Sequence, residues 1–384
     1  MSKAPCPLST MMTAFGPAGR WSAAIVIPAR NEAQRIVRCL DAAAVAIRTA
    51  QPVATGLIVV VNNSTDATRD HAVVWALTHP QVPLVLVNCL FAPEDANAGA
   101  ARRVGLDLAA KRVPPDGVLM TTDADSSVRP DWITRNLHEL TQADLICGRF
   151  VADPAEASTL PEAVARHCTI ETDYMSVAVK VAALLDPQPH DPDPPHLTAP
   201  GASLAFTRHL YDTVGGMPAI AMSEDRAFAA LAEEHDFRLR HSDTVIVETS
   251  CRMTGRTGGG MAGALRARAV ETDPLADEWL EPAATFILRY RLRGLLRAAW
   301  PDPIALQARL ADSLGFAEAV RLMSAPLPPH FGTFLARIEA GSPALARVRL
   351  RMSGCRAELP LLQAALAGQH EQMAEPGLRK RSAG

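Results

Sequence analysis

The chain has 384 residues, enough for one large domain or two with a sizeable buried core. Hydrophobic residues make up 48% and charged residues 21%, an ordinary balance for a globular enzyme. A net charge of −3 and only 5% aromatic residues argue against a protein that grips nucleic-acid phosphates or stacks on bases, so no nucleic-acid partner is expected.

Residues 1–20 read as a flexible leader without the sustained apolar run of a signal peptide. Ala23 to Ile27 is a short β-branched run stopped by Pro28, as in a strand buried on both faces of a parallel sheet. From Glu32 to Ile47 the apolar residues recur at helical spacing. Leu57 to Val61 is a second buried strand, closed by Asn62-Asn63-Ser64-Thr65-Asp66, where Thr65 or Asp66 can cap the helix carrying Val73, Val74 and Leu77. Leu84 to Val87 is a third strand, followed by a helix from Ala98 to Lys111, and Gly117 to Met120 is a fourth.

That fourth strand leads into Asp123-Ala124-Asp125. Residues i and i+2 of an extended chain share a face, so both carboxylates can point at one small object. A hard divalent cation is the natural candidate, since Mg²⁺-like ions are held by one or two carboxylates plus substrate phosphates. Four alternations of strand and helix call for an α/β fold with a mostly parallel central sheet flanked by helices. Ligands bind such sheets outside the carboxyl ends of the strands, which is where 29–32, 62–66 and 123–125 all fall.

Trp132 to Leu140 reads as a helix, Leu145 to Phe150 as a strand, and Ala155 to Leu185 as helical. Six prolines make 187–200 an extended loop, and His190 and His196 within it lack the regular backbone that would converge metal ligands. Gly201 to Phe206 resumes the sheet, Glu224-Asp225 opens a helix, and Thr244 to Val247 is a late strand. Gly255 to Gly263 lacks the Lys-Ser/Thr of a P-loop and reads as a hinged lid carrying Arg256. The remainder is a helical C-terminal extension over 265–371 and a disordered tail over 372–384. Within the extension, 283–300 is basic and amphipathic. It suits a helix packed on the domain with its arginines in solvent, or peripheral membrane contact through the same face. Seven scattered cysteines, odd in number and never in a CxxC pair, favour free thiols in a reducing compartment. No apolar run approaches the ~20 residues of a membrane span, and a cytoplasmic protein is expected.

Taken together, these motifs resemble the family 2 glycosyltransferases, whose GT-A fold binds nucleotide-diphospho-sugars. The resemblance runs from about Ala23 to Gly263. It rests on Ile25 to Glu32, Asn62 to Asp66, Gly99 with Arg102, Asp123-Ala124-Asp125, Gly201-Ala202-Ser203 and Glu224-Asp225. It implies a catalytic domain over 21–264, with a nucleotide-binding part (21–126) and an acceptor-side part (127–264). It also implies a non-processive, inverting transfer from a UDP- or GDP-sugar, as a hexosyltransferase would perform, to a small-molecule or lipid-linked acceptor, assisted by Mg²⁺ or Mn²⁺. By the same resemblance Pro28, Ala29, Arg30, Glu32, Asn62, Arg102, Asp123 and Arg256 face the nucleotide-sugar, with Arg252 an alternative to Arg256 on the phosphates. Asp125 and Asp123 hold the metal, and Asp225 with Glu224 form the base motif. Val61-Asn62-Asn63-Ser64 stands where the family often has Asp-Asp-Gly-Ser, which leaves the base open. The Gln-x-x-Arg-Trp of processive synthases is missing. Two other classes compete: a sugar-phosphate nucleotidyltransferase, which wants a Gly-rich signature after its first strand, and a non-catalytic nucleotide-sugar binder, which has no need of Asp225.

Overall fold

A computed structural model describes residues 6–255 and 260–374, and of 369–374 the backbone alone. The chain divides into two compact units, Met1–Thr159 with Thr198–Glu233 and Phe237–Leu265, and Leu160–Leu197 with Glu234–Asp236 and Arg266–Gly384.

The first unit opens with β1 (Ser9–Phe15), β2 (Ala23–Ala29), α1 (Ile36–Thr49), β3 (Thr55–Asn62), α2 (Thr68–Thr78), β4 (Leu84–Leu90), α3 (Ala98–Ala110) and β5 (Val118–Thr121). It continues through β6 (Ser126–Val128), α4 (Trp132–Glu139), β7 (Leu145–Ala152) and α5 (Pro154–Ala157). After α6 (Glu162–Leu185), which belongs to the second unit, it resumes with β8 (Leu204–Thr207), α7 (Arg208–Thr213), α8 (Glu224–Glu234) and β9 (Leu239–Thr249). The nine strands form one sheet in the order β1-β4-β3-β2-β5-β8-β7-β9-β6. Its centre, β4-β3-β2-β5, is parallel, while β1, β8 and β6 run antiparallel to their neighbours.

Every residue of β2 and β3 is buried, as their unbroken apolar runs require. The two-residue period splits them between two cores. Ile25, Ile27, Leu57, Val59 and Val61 pack with Ile36, Leu40 and Ala43 of α1, whereas Ala24, Val26, Ile58 and Val60 pack with Ala101, Leu106 and Ala109 of α3. This is the α/β sheet that the alternating elements predict.

Three local readings differ. Residues 9–15, expected in the leader, form an edge strand registered on β4 from Ser9↔Leu90 to Phe15↔Leu84. Its side chains are almost all exposed, so it carries no alternation to read. Pro28 does not stop β2. The Val26 carbonyl accepts from the Thr122 amide at 3.2 Å, so Pro28, two residues on, faces the same side, where pairing with β5 has already ended at Val26↔Thr121. Its missing N–H therefore removes no ladder bond. Helix α1 begins at Ile36 rather than Glu32, and the amides of residues 31–33 are bonded to side chains of the loop after β3 and the start of α2.

The second unit is helical: α6, then α9 (Met261–Val270), α10 (Ala283–Ala299), α11 (Pro303–Leu314), α12 (Phe316–Leu322), α13 (Phe331–Gly341) and α14 (Met352–Ala374). Residues 160–197, expected in the acceptor-side part, group here because Tyr174, Ala178, Val181 and Ala182 of α6 share a core with Phe286, Tyr290, Cys355 and Leu362. The apolar face of 283–300 is likewise internal, with Leu292 and Leu296 buried against Leu306, Phe334 and Ile338. Three of its four arginines are paired, while Arg291 is exposed. Arg289, 1% exposed, bonds both Glu281 oxygens (2.7 and 2.8 Å) and Glu339 (2.9 Å); Arg293 reaches Glu339 and Arg297 reaches Asp186. The helix is thus packed through its apolar face, as the first of the two readings expects, but three of its arginines are in ion pairs rather than in solvent. Among the described residues no helix is long and apolar enough to cross a membrane. From residue 375 the expected tail lies outside the described residues.

Candidate active site

Strands β3, β2 and β5 are adjacent and parallel, so their carboxyl ends open onto one edge of the sheet. The loop after β2 is fastened to the loop after β3. The Asn31 amide donates to Ser64 Oγ at 3.0 Å, Glu32 N to Thr68 Oγ1 at 2.7 Å, and Ala33 N to an Asp66 carboxylate oxygen at 3.1 Å. Asn31 returns the bond by accepting from Thr65 N at 2.8 Å. Asn31 and Asn63 achieve these turns at φ +54° and +45°, in the left-handed region that Asn tolerates better than most residues. Ser223, immediately before Glu224-Asp225, also has positive φ (+59°). Thus three of the four non-glycine positive-φ residues among those described sit at this edge, the kind of local strain that accumulates at functional sites.

Below the edge lies Arg102, 3% exposed, presented by α3. Its Nε donates to Glu224 Oε1 at 3.1 Å, its Nη2 to Asp123 Oδ1 at 2.8 Å, and its Nη1 to the Gly201 carbonyl at 2.8 Å and to the Thr121 hydroxyl. One guanidinium therefore ties the end of β5 to the start of α8 and to the turn before β8. Burial works against that charge, but the carboxylates of Asp123 and Glu224 outweigh it and hold the guanidinium above its ordinary value. Glu224 is itself buried, and burial pushes its carboxyl up against the pull of Arg102. Asp225 is only half-buried. Its Oδ2 accepts from the Gly201 amide at 2.6 Å and its Oδ1 from Arg226 N at 2.8 Å. Gly201 is required by this packing: a Cβ there would lie 2.8 Å from Arg102 Nη2 and 3.1 Å from Asp225 Oδ2.

Asp125, on the other side of Ala124, meets a second arginine. Arg252 Nη2 lies 2.9 Å from Asp125 Oδ2, and the same guanidinium grips Glu32 at 2.6 and 2.9 Å. The Asp125 carboxyl is pushed up to about 7, first by burial and then by Asp123, with Arg252 pulling it down. Beneath the pair, the Cys39 thiol donates to the Asp123 carbonyl at 3.3 Å and is raised by burial, with Asp125 adding to it.

Of the sequence-predicted residues, Glu32, Arg102, Asp123, Asp125, Glu224 and Asp225 are linked into this network. Arg102 is a strut under the edge, with four of its five N–H donors bonded to protein oxygens. Arg252 bridges two carboxylates instead of standing free for phosphates. Arg30 donates to the Ala96 carbonyl at 2.6 Å, and Pro28 and Ala29 are buried inside β2. Asn62 is 2% exposed; its amide donates to the Asn97 carbonyl at 2.8 Å, while its Oδ1 is buried with no partner among the described residues. Thr122 Oγ1 is buried and unpartnered in the same sense. Arg256 lies outside the described residues. Sequence reasoning missed Thr121 and Cys39, which carry no motif: Thr121 ends β5 and bonds Arg102, and Cys39 reaches the Asp123 carbonyl from α1.

The residues fit a divalent cation in a particular way. Burial and the neighbouring Asp123 and Glu32 carboxylates raise Asp125, and a cation there would relieve the like-charge part of that rise. Among the described residues no three His, Cys, Asp or Glu side chains form a closed cage. A hard ion held by one or two carboxylates takes its other ligands from substrate phosphates.

Residues 24–173 match the model of glycosyl transferase family 2. No curated protein matches the chain. Among solved structures it is similar to the mannosyltransferase PcManGT from Pyrobaculum calidifontis in complex with GDP-Man and Mn²⁺, at 19% identity over 96% of this chain and 89% of that one, with a TM-score of 0.46. It is also similar to TarS 1–349 of S. aureus in complex with UDP-GlcNAc, at 15% identity over 92% of each chain and a TM-score of 0.43. A third is glucosyl-3-phosphoglycerate synthase from Mycobacterium tuberculosis in complex with phosphoglyceric acid, at 15% identity over 66% of this chain and 79% of that one, with a TM-score of 0.39.

Proposed function

We propose, on the premise that the chain belongs through residues 24–173 to glycosyl transferase family 2, that it moves a sugar from a nucleotide diphosphate to an acceptor hydroxyl. The reaction is a single inverting displacement, non-processive, with Mg²⁺ or Mn²⁺ as cofactor and a UDP- or GDP-sugar as donor. The observation that carries this reading is the joining of two acidic pairs, Asp123/Asp125 and Glu224/Asp225, through the buried Arg102 at the carboxyl edge of parallel strands.

The two pairs divide the labour by exposure. Asp225, half-buried and fixed by the Gly201 amide, takes the proton of the acceptor hydroxyl, whose own pKa lies far above neutral. The hydroxyl oxygen then bonds to the sugar C1 while the bond from C1 to the diphosphate oxygen breaks, its electron pair leaving with the diphosphate. Glu224 is a positioning residue: buried on Arg102, it sets the first turn of α8 and so the direction of Asp225. Asp125 and Asp123 would hold the cation, which supplies Lewis-acid stabilisation of charge developing on the leaving diphosphate. Two carboxylates on a cation and one on the acceptor proton suit transfer rather than passive binding, since a binder has no use for a placed base.

The test is Asp225→Asn. It should leave the affinity for the nucleotide-sugar within about twofold and lower turnover at least about 100-fold, the usual scale of a lost general base. Turnover within a few-fold of the wild type would remove Asp225 from the mechanism.

A further inference from the structure

The guanidinium of Arg252 occupies an unusual position for a residue near a cation site. It is 16% exposed and makes a bidentate pair with Glu32, 2.6 Å to Oε1 and 2.9 Å to Oε2, while its Nη2 also lies 2.9 Å from Asp125 Oδ2. Glu32 comes from the turn after β2, Asp125 from the turn after β5, and Arg252 from the segment after β9, so one side chain draws three separate loops together. Arg102 by contrast is committed to Asp123 and Glu224 and leaves Asp125 alone. Asp125 has no other hydrogen-bonding or ion-pair partner among the described side chains. Its ion-pair contact is with Arg252.

We propose that Arg252 is a built-in competitor of the divalent cation: in the free protein it stands on Asp125 as a surrogate positive charge, and metal binding must displace it from that carboxylate. The inference rests on the metal reading proposed above. The physical basis is charge and geometry. A cation on Asp125 carries two positive charges into a site where a guanidinium, held in place by Glu32, already lies within hydrogen-bond distance of the same oxygen. Like charges so close repel strongly in a partly desolvated site. The cation therefore binds weakly alone and firmly only when a diphosphate brings further oxygen ligands and negative charge. Metal and donor are thereby coupled, each raising the affinity for the other by the same factor, as linkage requires. Such coupling keeps the site from filling with metal before the nucleotide-sugar arrives. Glu32 has a role as well: it anchors Arg252 after release, so the guanidinium shifts without leaving the edge of the site.

The experiment measures Mn²⁺ alone binding to the full-length protein by loss of the free-ion electron paramagnetic resonance signal, then repeats it with UDP and with GDP. Arg252→Gln should bind Mn²⁺ alone about tenfold more tightly than the wild type, the direction and rough scale expected on removing one adjacent positive charge. The enhancement of Mn²⁺ affinity by the nucleotide should shrink by a similar factor. Arg252→Lys, which keeps the charge, should stay close to the wild type. A side chain that merely holds the fold would give the opposite sign, weaker Mn²⁺ binding with a lowered melting temperature. Arg252→Met, which keeps the apolar stem, provides the same reading should the glutamine variant fold poorly. If the wild type binds Mn²⁺ with UDP or GDP but folded Arg252→Gln and Arg252→Met bind Mn²⁺ alone no more tightly, the competition is refuted and the transferase reading stands. If none of the proteins binds Mn²⁺ with either nucleotide, the metal reading falls and this inference with it.

Discussion

Replacing Arg102 by Met is the sharpest structural perturbation of the site. The change keeps an unbranched apolar stem and removes the charge. The guanidinium is 3% exposed and faces Glu224, 9% exposed at the side chain, at 3.1 Å, and Asp123, 36% exposed, at 2.8 Å. Removing one partner of a buried pair leaves the other charge unpaired, which costs about 3–5 kcal/mol. Asp123 adds little to that because it can recruit water. The bonds to the Gly201 carbonyl and the Thr121 hydroxyl disappear as well. The predicted loss is therefore about 3–5 kcal/mol by urea unfolding at pH 8. It should also depend on pH with a defined sign. Burial already raises the Glu224 carboxyl, and Arg102 is the largest influence pulling it back. Without Arg102 the folded-state value rises further above the unfolded one. A carboxyl raised by folding binds more protons when folded, so its contribution is fully present below the unfolded value and is lost as pH rises through the folded value. The gap between variant and wild type should then be smaller near pH 5 than at pH 8. A loss under about 1 kcal/mol, the range of an exposed pair, or a gap that does not change with pH, would refute the buried-strut reasoning.

Two further substitutions probe the framework. Gly201→Ala should destabilise by about 1–3 kcal/mol, as overpacking does, because the new Cβ meets Arg102 Nη2 at 2.8 Å; a melting temperature equal to the wild type's would show that the turn before β8 can move aside. In the helical unit, Arg289→Met takes from Glu281, 1% exposed at the side chain, its bidentate partner and leaves it only the longer Arg347 contact at 3.6 Å; it should cost about 3 kcal/mol in chemical denaturation, the low end for a broken buried pair, whereas Arg321→Met, on the exposed Glu318 pair, should cost under about 1 kcal/mol. Equal effects for the two would contradict the distinction.

The centre of the sheet was legible because β2, β3 and β4 are apolar on both faces, and their polar ends follow directly in the chain. Asp123 and Asp125 could be placed at a strand end for the same reason. The edge strand β1 was not legible: almost all its residues are exposed and its pairing with β4 is set chiefly by backbone bonds. The short β6 is similar, joined to β9 through Ser126↔Thr249 and its neighbours, a partner over a hundred residues away. Among the site residues, the acidic ones announced themselves by motif, whereas the use made of the arginines did not. The Gly99 and Arg102 motif marked Arg102, but nothing local showed that it would be sealed beneath the edge while Arg103 turns to Asp107 one turn along the same helix. That difference appears only when α3 packs on β2 and β3. The pairing of the basic run 283–300 was hidden for a related reason: its acidic partners Glu281, Glu339 and Asp186 all lie outside the run, so the helix pattern showed the packed face but not the ion pairs.

The central claim is that Asp125 brings a divalent cation to a nucleotide diphosphate. Titration calorimetry of UDP and GDP, each with and without Mn²⁺, against the wild type and Asp125→Ala tests it most directly. Metal-dependent binding of one of the two nucleotides by the wild type, abolished in a folded Asp125→Ala protein, is the predicted result. Equal affinity with and without Mn²⁺, or unchanged metal-dependent affinity in Asp125→Ala, would contradict it.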